Sequence, residues 1–394
     1  MRYLVAPDSF KEAASAQSVA QAMKRGILTA DPYAECRLMP LSDGGEGLTD
    51  ALVHATGGDM RTVETVDALG RPVTARFGFL GNREDPDDAA GVRNHERIAV
   101  IELASASGLE RISPADRDPL TASTFGTGET IRTAIEAGAT RILLGLGGSA
   151  TTDGGTGLAR ALGYRFLDRN GRELEPGGGA LTRLARIDDS AVSEAVKRMP
   201  ITLACDVTNP LTGEHGAARV FAPQKGADPK QVELLDHGLA RLADAIETFN
   251  GRNVRDMPGA GAAGGTGGGL MGLFNASMRS GIDLVLELTH GREACEWADV
   301  VITGEGSIDA QTPYGKVPSG IAQLAKSCGK PTIALGGTVT RDPRTIAWLK
   351  ETGIIAVFGI APGAAGLPAL LADTERNAEA TCAAIAATLQ LHVA

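Results

Sequence analysis

Hydrophobic and polar positions along this chain switch between a helical period and a strand period. Tyr3-Leu-Val-Ala6 is a short apolar run that predicts a strand, and Ala16, Val19, Ala20, Met23 and Ile27 then recur at helical spacing behind a Ser15 cap. A second strand near Cys36 to Met39 leads into Asp43-Gly44-Gly45-Glu46-Gly47 and a short helix ending at Gly57. This β-α-β-α order predicts the opening of a parallel sheet. From Thr62 to Leu80 the residues alternate in two runs around Leu69-Gly70-Arg71-Pro72, the pattern of a β-hairpin. Residues 81–97 read as a polar surface loop, and Ile98 to Leu103 as a strand. From Gly126 the order becomes helix, strand (Arg141 to Leu146), glycine-rich turn and helix. Ile201 to Ala204 predicts a further strand, and an amphipathic helix runs from about Asp228 to Phe249. Residues 257–278 hold no charge and eight glycines, and read as a loop leading into a helix. The final third returns to βα units, with strands near Val300 to Thr303, Pro331 to Leu335 and Ile354 to Phe358.

These elements predict an α/β protein of two domains. One is built from both chain ends, residues 1–60 and 285–394, and encloses a mixed α/β domain at 61–284 as an insertion. The length of 394 residues agrees with two or three domains. With 43% hydrophobic and 22% charged residues the chain buries a full core, which excludes wholesale disorder. Its 51 glycines follow no Gly-X-Y period, which excludes collagen. A net charge of −10 argues against a general nucleic-acid binder, because that role needs a basic face. Cys36, Cys205, Cys295, Cys328 and Cys382 form no CxxC pair, a usage that suits a reducing compartment rather than a disulfide framework or zinc site. The uncharged run 352–372 is interrupted by Gly353, Gly359, Gly363, Gly366, Pro362 and Pro368. It therefore reads as a buried strand, Ile354 to Ile360, then a loop and a helix start, rather than a membrane span. The stretch between Arg2 and Asp8 is too short for a signal-peptide core. The expectation is a soluble cytoplasmic protein that works without a membrane or nucleic acid; the sequence does not give its oligomeric state.

Five turns stand at the predicted carboxyl ends of strands, where open α/β sheets bind ligands. In Pro7-Asp8-Ser9-Phe10-Lys11, Ser9 and Lys11 suit an anion near a helix N-terminus, or a plain capped loop. In Asp43-Gly44-Gly45-Glu46-Gly47 the carboxylates suit a metal or a substrate hydroxyl, or Asp43 simply caps the helix. Between Gly145 and Gly155, the residues Ser149, Thr151, Thr152 and Asp153 crowd one turn with three hydroxyls and a carboxylate. Gly145, Gly147 and Ala150 also match a dinucleotide fingerprint, with Asp168 as its ribose acid. That keeps an NAD-dependent hydroxy-acid oxidoreductase open, although the hydroxyls suit phosphate or polyol oxygens better. Cys205-Asp206-Val-Thr208-Asn209-Pro210, continuing to Pro223-Gln224-Lys225-Gly226, offers Asp206 as general base or metal carboxylate, or a plain Asn-Pro turn. Gly304-Glu305-Gly306-Ser307-Ile308-Asp309, running on to Gly315-Lys316, is no Walker A loop. Only nine lysines occur against 29 arginines, and Lys11, Lys225 and Lys316 fall within these stretches, as phosphate ligands often do. Together the turns point to an enzyme acting on an oxygen-rich anion; a non-catalytic organic-acid sensor shares the same features.

Taken in order, Ala6-Pro-Asp-Ser-Phe-Lys11, Pro40-Leu-Ser-Asp-Gly-Gly-Glu-Gly47, Gly147-Gly-Ser-Ala-Thr-Thr-Asp-Gly-Gly155, Asp206-Val-Thr-Asn-Pro-Leu211 with Pro223-Gln-Lys-Gly-Ala227, and Gly304-Glu-Gly-Ser-Ile-Asp-Ala-Gln-Thr312 with Gly315-Lys-Val-Pro318 resemble the signature blocks of bacterial type I glycerate kinases. The chain departs from that pattern at Glu12, where Gly is usual, and at Ala14, Ser42, Thr152 and Ala222. The resemblance implies transfer of the ATP γ-phosphoryl group to D-glycerate, usually giving 2-phosphoglycerate, with Mg²⁺. It also implies a flavodoxin-like domain assembled from both chain ends and a site in the cleft between two domains. On this reading Asp206 is general base or Mg²⁺ ligand, and Lys11 faces the glycerate carboxylate or the transferred phosphate. Ser9, Asp43, Ser149, Thr151, Thr152 and Asp153 bind substrate, and Gly304, Gly306, Asp309 and Lys316 lie nearer the nucleotide.

Overall fold

The computed structural model describes residues 1–81, 96–312 and 316–391; most of the predicted 81–97 loop, and Gly315, lie outside them. The chain opens with strands β1 (Arg2–Val5) and β2 (Glu35–Leu38). Its middle supplies β3 (Asp59–Val66), β4 (Pro72–Phe79), β5 (Ile98–Glu102), β6 (Arg141–Gly145), β7 (Arg165–Leu167), β8 (Arg186–Asp188), β9 (Pro200–Ala204) and β10 (Asn275–Arg279). It closes with β11 (Val300–Ile308), β12 (Thr332–Val339) and β13 (Ile354–Gly359). Two compact units result, residues 1–43 with 280–394, and residues 44–279.

The first unit holds an all-parallel sheet in the order β13-β12-β11-β1-β2. Numbered within the unit this is 2-1-3-4-5 read from the β2 edge, the flavodoxin-like arrangement. The first helix, Ala16–Ala30, begins where Ser15 Oγ accepts the Ser18 N–H at 3.1 Å. Its Val19, Met23 and Ile27 stripe is buried with Tyr3, Val5, Ile302 and Leu335 and with Cys382 and Ile385 of the Thr374–Gln390 helix. The sequence places the end of β11 at Thr303, but the strand runs on to Ile308. Beyond Ile302 it loses β1 as a partner and continues against β12 alone, from Gly304↔Leu335 to Ile308↔Val339. The vacated side takes the chain leaving β1, where the Asp8 N–H donates to the Gly304 carbonyl at 2.8 Å. β13 is a strand as expected but not a buried one: at the sheet edge, Ile355 is 59% and Phe358 41% exposed.

The second unit is built on a mixed sheet, β10-β9-β6-β5-β4-β3, in which the first four strands run parallel and the β3–β4 hairpin adds antiparallel to β5. Ile142, Leu144, Leu203 and Ile101 bury one face against Leu158 and the long Pro229–Asn250 helix. That helix starts in a capping box, with Asp228 accepting from the Gln231 N–H and the Gln231 side chain accepting from the Asp228 N–H. The Leu48–Thr56 helix, which the sequence groups with the first domain, belongs to this unit and packs on β4 and β5. The sequence gives no sign of β10, whose Asn-Ala-Ser-Met-Arg has no β-branched residue and sits at the sheet edge.

Candidate functional site

In the first unit the turn after β1 runs beside the extended end of β11, and the two border a cavity of about 310 Å³. That is at the lower end of small-molecule sites. Ser9, Lys11, Asp43, Gly306 and Lys316 all line it, so five of the residues singled out in three separate sequence blocks meet at one place. Further along its wall stand Ile360, Leu367, Leu370 and Leu371, which supply apolar surface. Charge is concentrated at the sheet end. Burial pushes the Asp8 carboxyl well above the usual carboxylate range, with repulsion from Asp43 adding to it; the Ser9 N–H, 2.6 Å from Oδ1, works the other way. Burial also raises Glu305, against the opposing effects of the Thr312 hydroxyl at 2.6 Å and of Lys316 at 3.3 Å. Lys316 reaches Asp309 as well, at 3.6 Å. Partial burial disfavours the Asp309 carboxylate, but the Gln311 N–H and Lys316 outweigh it and hold the group below its ordinary value.

Glu12 marks a local conflict. It adopts φ +62°, one of three non-glycine residues with positive φ among the described residues, and it lines the same cavity. A side chain stands here in the left-handed region where glycine carries no steric penalty.

In the second unit β5, β6, β9 and β10 end level, through the register pairs Glu102↔Gly145, Gly145↔Ala204 and Ala204↔Arg279. The turn 146–155 and the loop bearing Asp206 therefore leave neighbouring parallel strands at their carboxyl ends. Asp153 organises the turn from within. It is fully buried, and its carboxylate accepts from the Thr124 N–H and hydroxyl, both 2.9 Å, and from the N–H groups of Gly155 and Gly157 at 3.0 and 3.1 Å. Thr151 and Thr152 are also buried, and their hydroxyls find no hydrogen-bond partner among the described residues. Asp206 is half-buried, with Oδ2 shielded from solvent.

Part of the glycine-rich stretch after residue 257 packs against this turn. Gly264 adopts φ +65° and its carbonyl accepts the Gly154 N–H at 3.0 Å; a Cβ there would lie 2.0 Å from the Thr151 carbonyl oxygen. At Gly269 a Cβ would lie 1.9 Å from the Gly154 oxygen. Gly264, Gly265 and Gly269 form a bare strip of backbone on which the turn rests.

Not every predicted residue reaches a site. Gly304 does not line the cavity: it lies within the sheet, with its carbonyl bonded to the Asp8 N–H. Asp309 does not line the cavity either and reaches it through Lys316 and through the Ser307 hydroxyl, which donates to it at 3.2 Å. The dinucleotide reading of Gly145 and Gly147 fails on space, since Cβ atoms there would meet the Gly44 oxygen at 2.7 Å and Gly45 Cα at 2.6 Å. The chain's own backbone fills the room a pyrophosphate would need. Asp168, its proposed ribose acid, instead accepts the Asn170 and Arg172 N–H groups in the turn after β7, which belongs to a separate two-stranded sheet.

Three residues outside the predicted set matter to these sites. Glu102 at the end of β5 accepts the N–H groups of Gly47 and Thr49 at 3.2 and 2.7 Å and fixes the 44–49 loop, while burial raises its carboxyl. Nothing in a lone Glu after an apolar strand signals this. Glu305 falls inside a quoted block but shows its importance only through burial. Lys225, flagged in the sequence by the rarity of lysine, proves fully enclosed, its ammonium donating to Ser149 Oγ at 2.8 Å and to the Thr151 carbonyl at 2.5 Å.

No helix among the described residues is long and apolar enough to cross a membrane. Compared with known proteins, the chain is 44% identical to a glycerate kinase of Bacillus subtilis over 99% of its own length and 98% of that protein's. It is 43% identical to a glycerate 2-kinase of Escherichia coli K12, with 91% and 90% of the two chains covered. The crystal structure of a protein assigned as glycerate kinase 2 from Salmonella typhimurium LT2 superimposes with a TM-score of 0.84 at 42% identity, covering 100% of this chain and 99% of that one. Residues 3–390 match the model of the glycerate kinase family, and the chain belongs to that family.

Proposed function

We propose that the chain transfers the γ-phosphoryl group of ATP to D-glycerate, forming 2-phosphoglycerate and ADP, in the cleft that the family resemblance implies. The observation that carries this reading is the cavity of the first unit. Two lysines, Lys11 and Lys316, share its wall with Ser9, Asp43 and Gly306, at the strand ends where a flavodoxin-like sheet binds phosphate-bearing ligands. At a net charge of −10 the protein repels both reactants at long range, so attraction has to be local.

The chemistry asks little of the side chains: align the hydroxyl, offset phosphate charge and accept one proton. The glycerate hydroxyl oxygen forms a bond to the γ-phosphorus as the bond to the β,γ-bridging oxygen breaks, and ADP departs. Lys11 and Lys316 offset charge on the phosphates, and Gly306 permits close backbone approach. Ser149, Thr151 and Thr152 offer hydroxyls to glycerate, while Asp153 keeps their turn in shape. Asp206 accepts the hydroxyl proton or ligates Mg²⁺. Asp8, Asp43 and Glu305 of the first unit are a further acidic group that would suit a divalent ion beside the phosphates: burial and mutual repulsion disfavour charge on Asp8, and a cation would relieve that. Mg²⁺ commonly uses one or two carboxylates plus substrate phosphates, so no cage of three protein ligands is needed, and none occurs among the described residues. When bound, Mg²⁺ neutralises phosphate charge. All five cysteines are free, which suits a cytoplasmic setting.

An ADP-release assay with ATP, Mg²⁺ and D-glycerate, L-glycerate or tartronate tests the reading. Turnover on the order of 1–100 s⁻¹ with D-glycerate is expected; no acid-dependent ADP release with any of these would overturn it.

A further inference from the structure

Lys225 is an unusual group to find enclosed. The residue is 2% exposed, and both of its acceptors, Ser149 Oγ and the Thr151 carbonyl, are neutral. No carboxylate pairs with it among the described residues. Asp153 is the charged neighbour acting on it, but that carboxylate is taken up by Thr124, Gly155 and Gly157. Arg117, whose guanidinium donates to the Gln224 carbonyl at 2.9 Å, adds positive charge to the same loop. An enclosed ammonium without a counter-ion is costly. Burial accordingly pushes the Lys225 amine down to about 7, with Asp153 opposing.

The direction of the bond to Ser149 has a consequence. An ammonium can only donate, so while Lys225 is charged Ser149 Oγ must accept, and its own proton is free to point at another acceptor. A neutral amine carries a lone pair, can accept the Ser149 proton, and thereby removes the hydroxyl as a donor. Beside it, the Thr151 and Thr152 hydroxyls have no protein partner among the described residues but are shielded from solvent, which leaves Ser149 as the hydroxyl of the turn whose direction Lys225 sets.

We propose that Lys225 is a positioning residue that acts through Ser149, holding its hydroxyl as a hydrogen-bond donor to the anionic group of the acid substrate. This rests on the proposed function in that it takes the 146–155 turn as the acid-binding element. It assigns Lys225 no contact with the phosphoryl group.

The test is the pH dependence of KM for D-glycerate between pH 6 and 9, with KM for ATP measured in parallel. In the wild type, KM for glycerate should rise several-fold above neutral pH and then level off, while KM for ATP does not follow. Lys225→Arg keeps a donor that does not titrate and should flatten the profile. Ser149→Ala should raise KM at pH 6.5 several-fold and also flatten it, although Lys225 is still present. Lys225→Met should resemble Ser149→Ala, with kcat changed less than KM; should that variant fail to fold, the Arg and Ala variants carry the test. A flat wild-type profile with normal turnover overturns the proposal alone. A pH dependence that survives Ser149→Ala also overturns it, because Lys225 then acts by another route. Absence of turnover with every acid overturns both the proposal and the function on which it rests.

Discussion

Replacing Gly264 by Ala should separate packing of the glycine strip from ordinary glycine preference. Both Gly264 (φ +65°) and Gly251 (φ +79°), which ends the Pro229–Asn250 helix, sit in the left-handed region. An alanine costs about 1–2 kcal/mol there, offset by about 0.4–1 kcal/mol from a less flexible unfolded chain. Around Gly251 a Cβ meets nothing within 4 Å, so Gly251→Ala should cost only this balance, about 0–1.6 kcal/mol. At Gly264 the Cβ would lie 2.0 Å from the Thr151 oxygen and 2.6 Å from Thr152 Cα, backbone atoms that cannot rotate away. Forced repacking adds about 1–3 kcal/mol to the same backbone balance, for a total of about 1–5 kcal/mol. At about 2–4 °C per kcal/mol for a unit of this size, Gly264→Ala should lower Tm by about 2–12 °C more than Gly251→Ala does. Thermal unfolding followed by circular dichroism measures both. Because the displaced atoms belong to the turn carrying Thr151 and Thr152, KM for D-glycerate should also rise about tenfold or more in Gly264→Ala alone. Equal Tm values for the two variants, with unchanged KM, would refute the idea that the strip holds the turn.

Other outcomes follow from the charged groups. Asp206→Asn should lower kcat by about 10²–10⁴-fold with an unchanged circular dichroism spectrum; near-full turnover would remove its base and metal roles. Lys316→Met leaves buried Glu305 without its cation and should raise KM for ATP while costing about 2 kcal/mol in urea unfolding. The Asp8 carboxyl titrates above its unfolded value, so the folded state binds the extra proton and stability falls as pH rises through that window. Asp8→Asn keeps an acceptor for the Ser9 N–H and removes the repulsion. Its Tm should therefore exceed that of the wild type at pH 7, and the gain should vanish below about pH 4, the ordinary carboxylate range.

The legible parts of this chain were those where one local rule dominates. The stripe from Val19 to Ile27 and its Ser15 cap needed only helical periodicity, and the β3–β4 hairpin only alternation around a Gly-containing turn. The extension of β11 was hidden because Glu305, Gly306 and Ser307 look like a turn, and their strand geometry comes from pairing with β12. β10 was hidden for the same reason, as an edge strand made by its neighbour β9. Among site residues, polar turns after apolar runs pointed to Ser9, Lys11, Asp43, Gly306 and Lys316, which share one cavity. Asp153 looked like a ligand-binding carboxylate because a sequence does not show which N–H groups a buried acid faces. The enclosure of Lys225 depends on residues far from it in sequence, Ser149 and Thr151, and no local pattern reports that. Glu12 is the converse case: the departure from glycine was visible in the residues, and its positive φ only in the backbone.

Phosphorus NMR of the product reports most directly on the transfer itself. With ATP, Mg²⁺ and D-glycerate, a phosphate ester on the 2-hydroxyl has one proton on the adjoining carbon and should appear as a doublet in the proton-coupled spectrum. It should grow in step with ADP. A triplet would mean that the terminal hydroxyl accepts the group, which overturns the assignment of 2-phosphoglycerate. Release of inorganic phosphate with no new ester would contradict phosphoryl transfer to glycerate altogether.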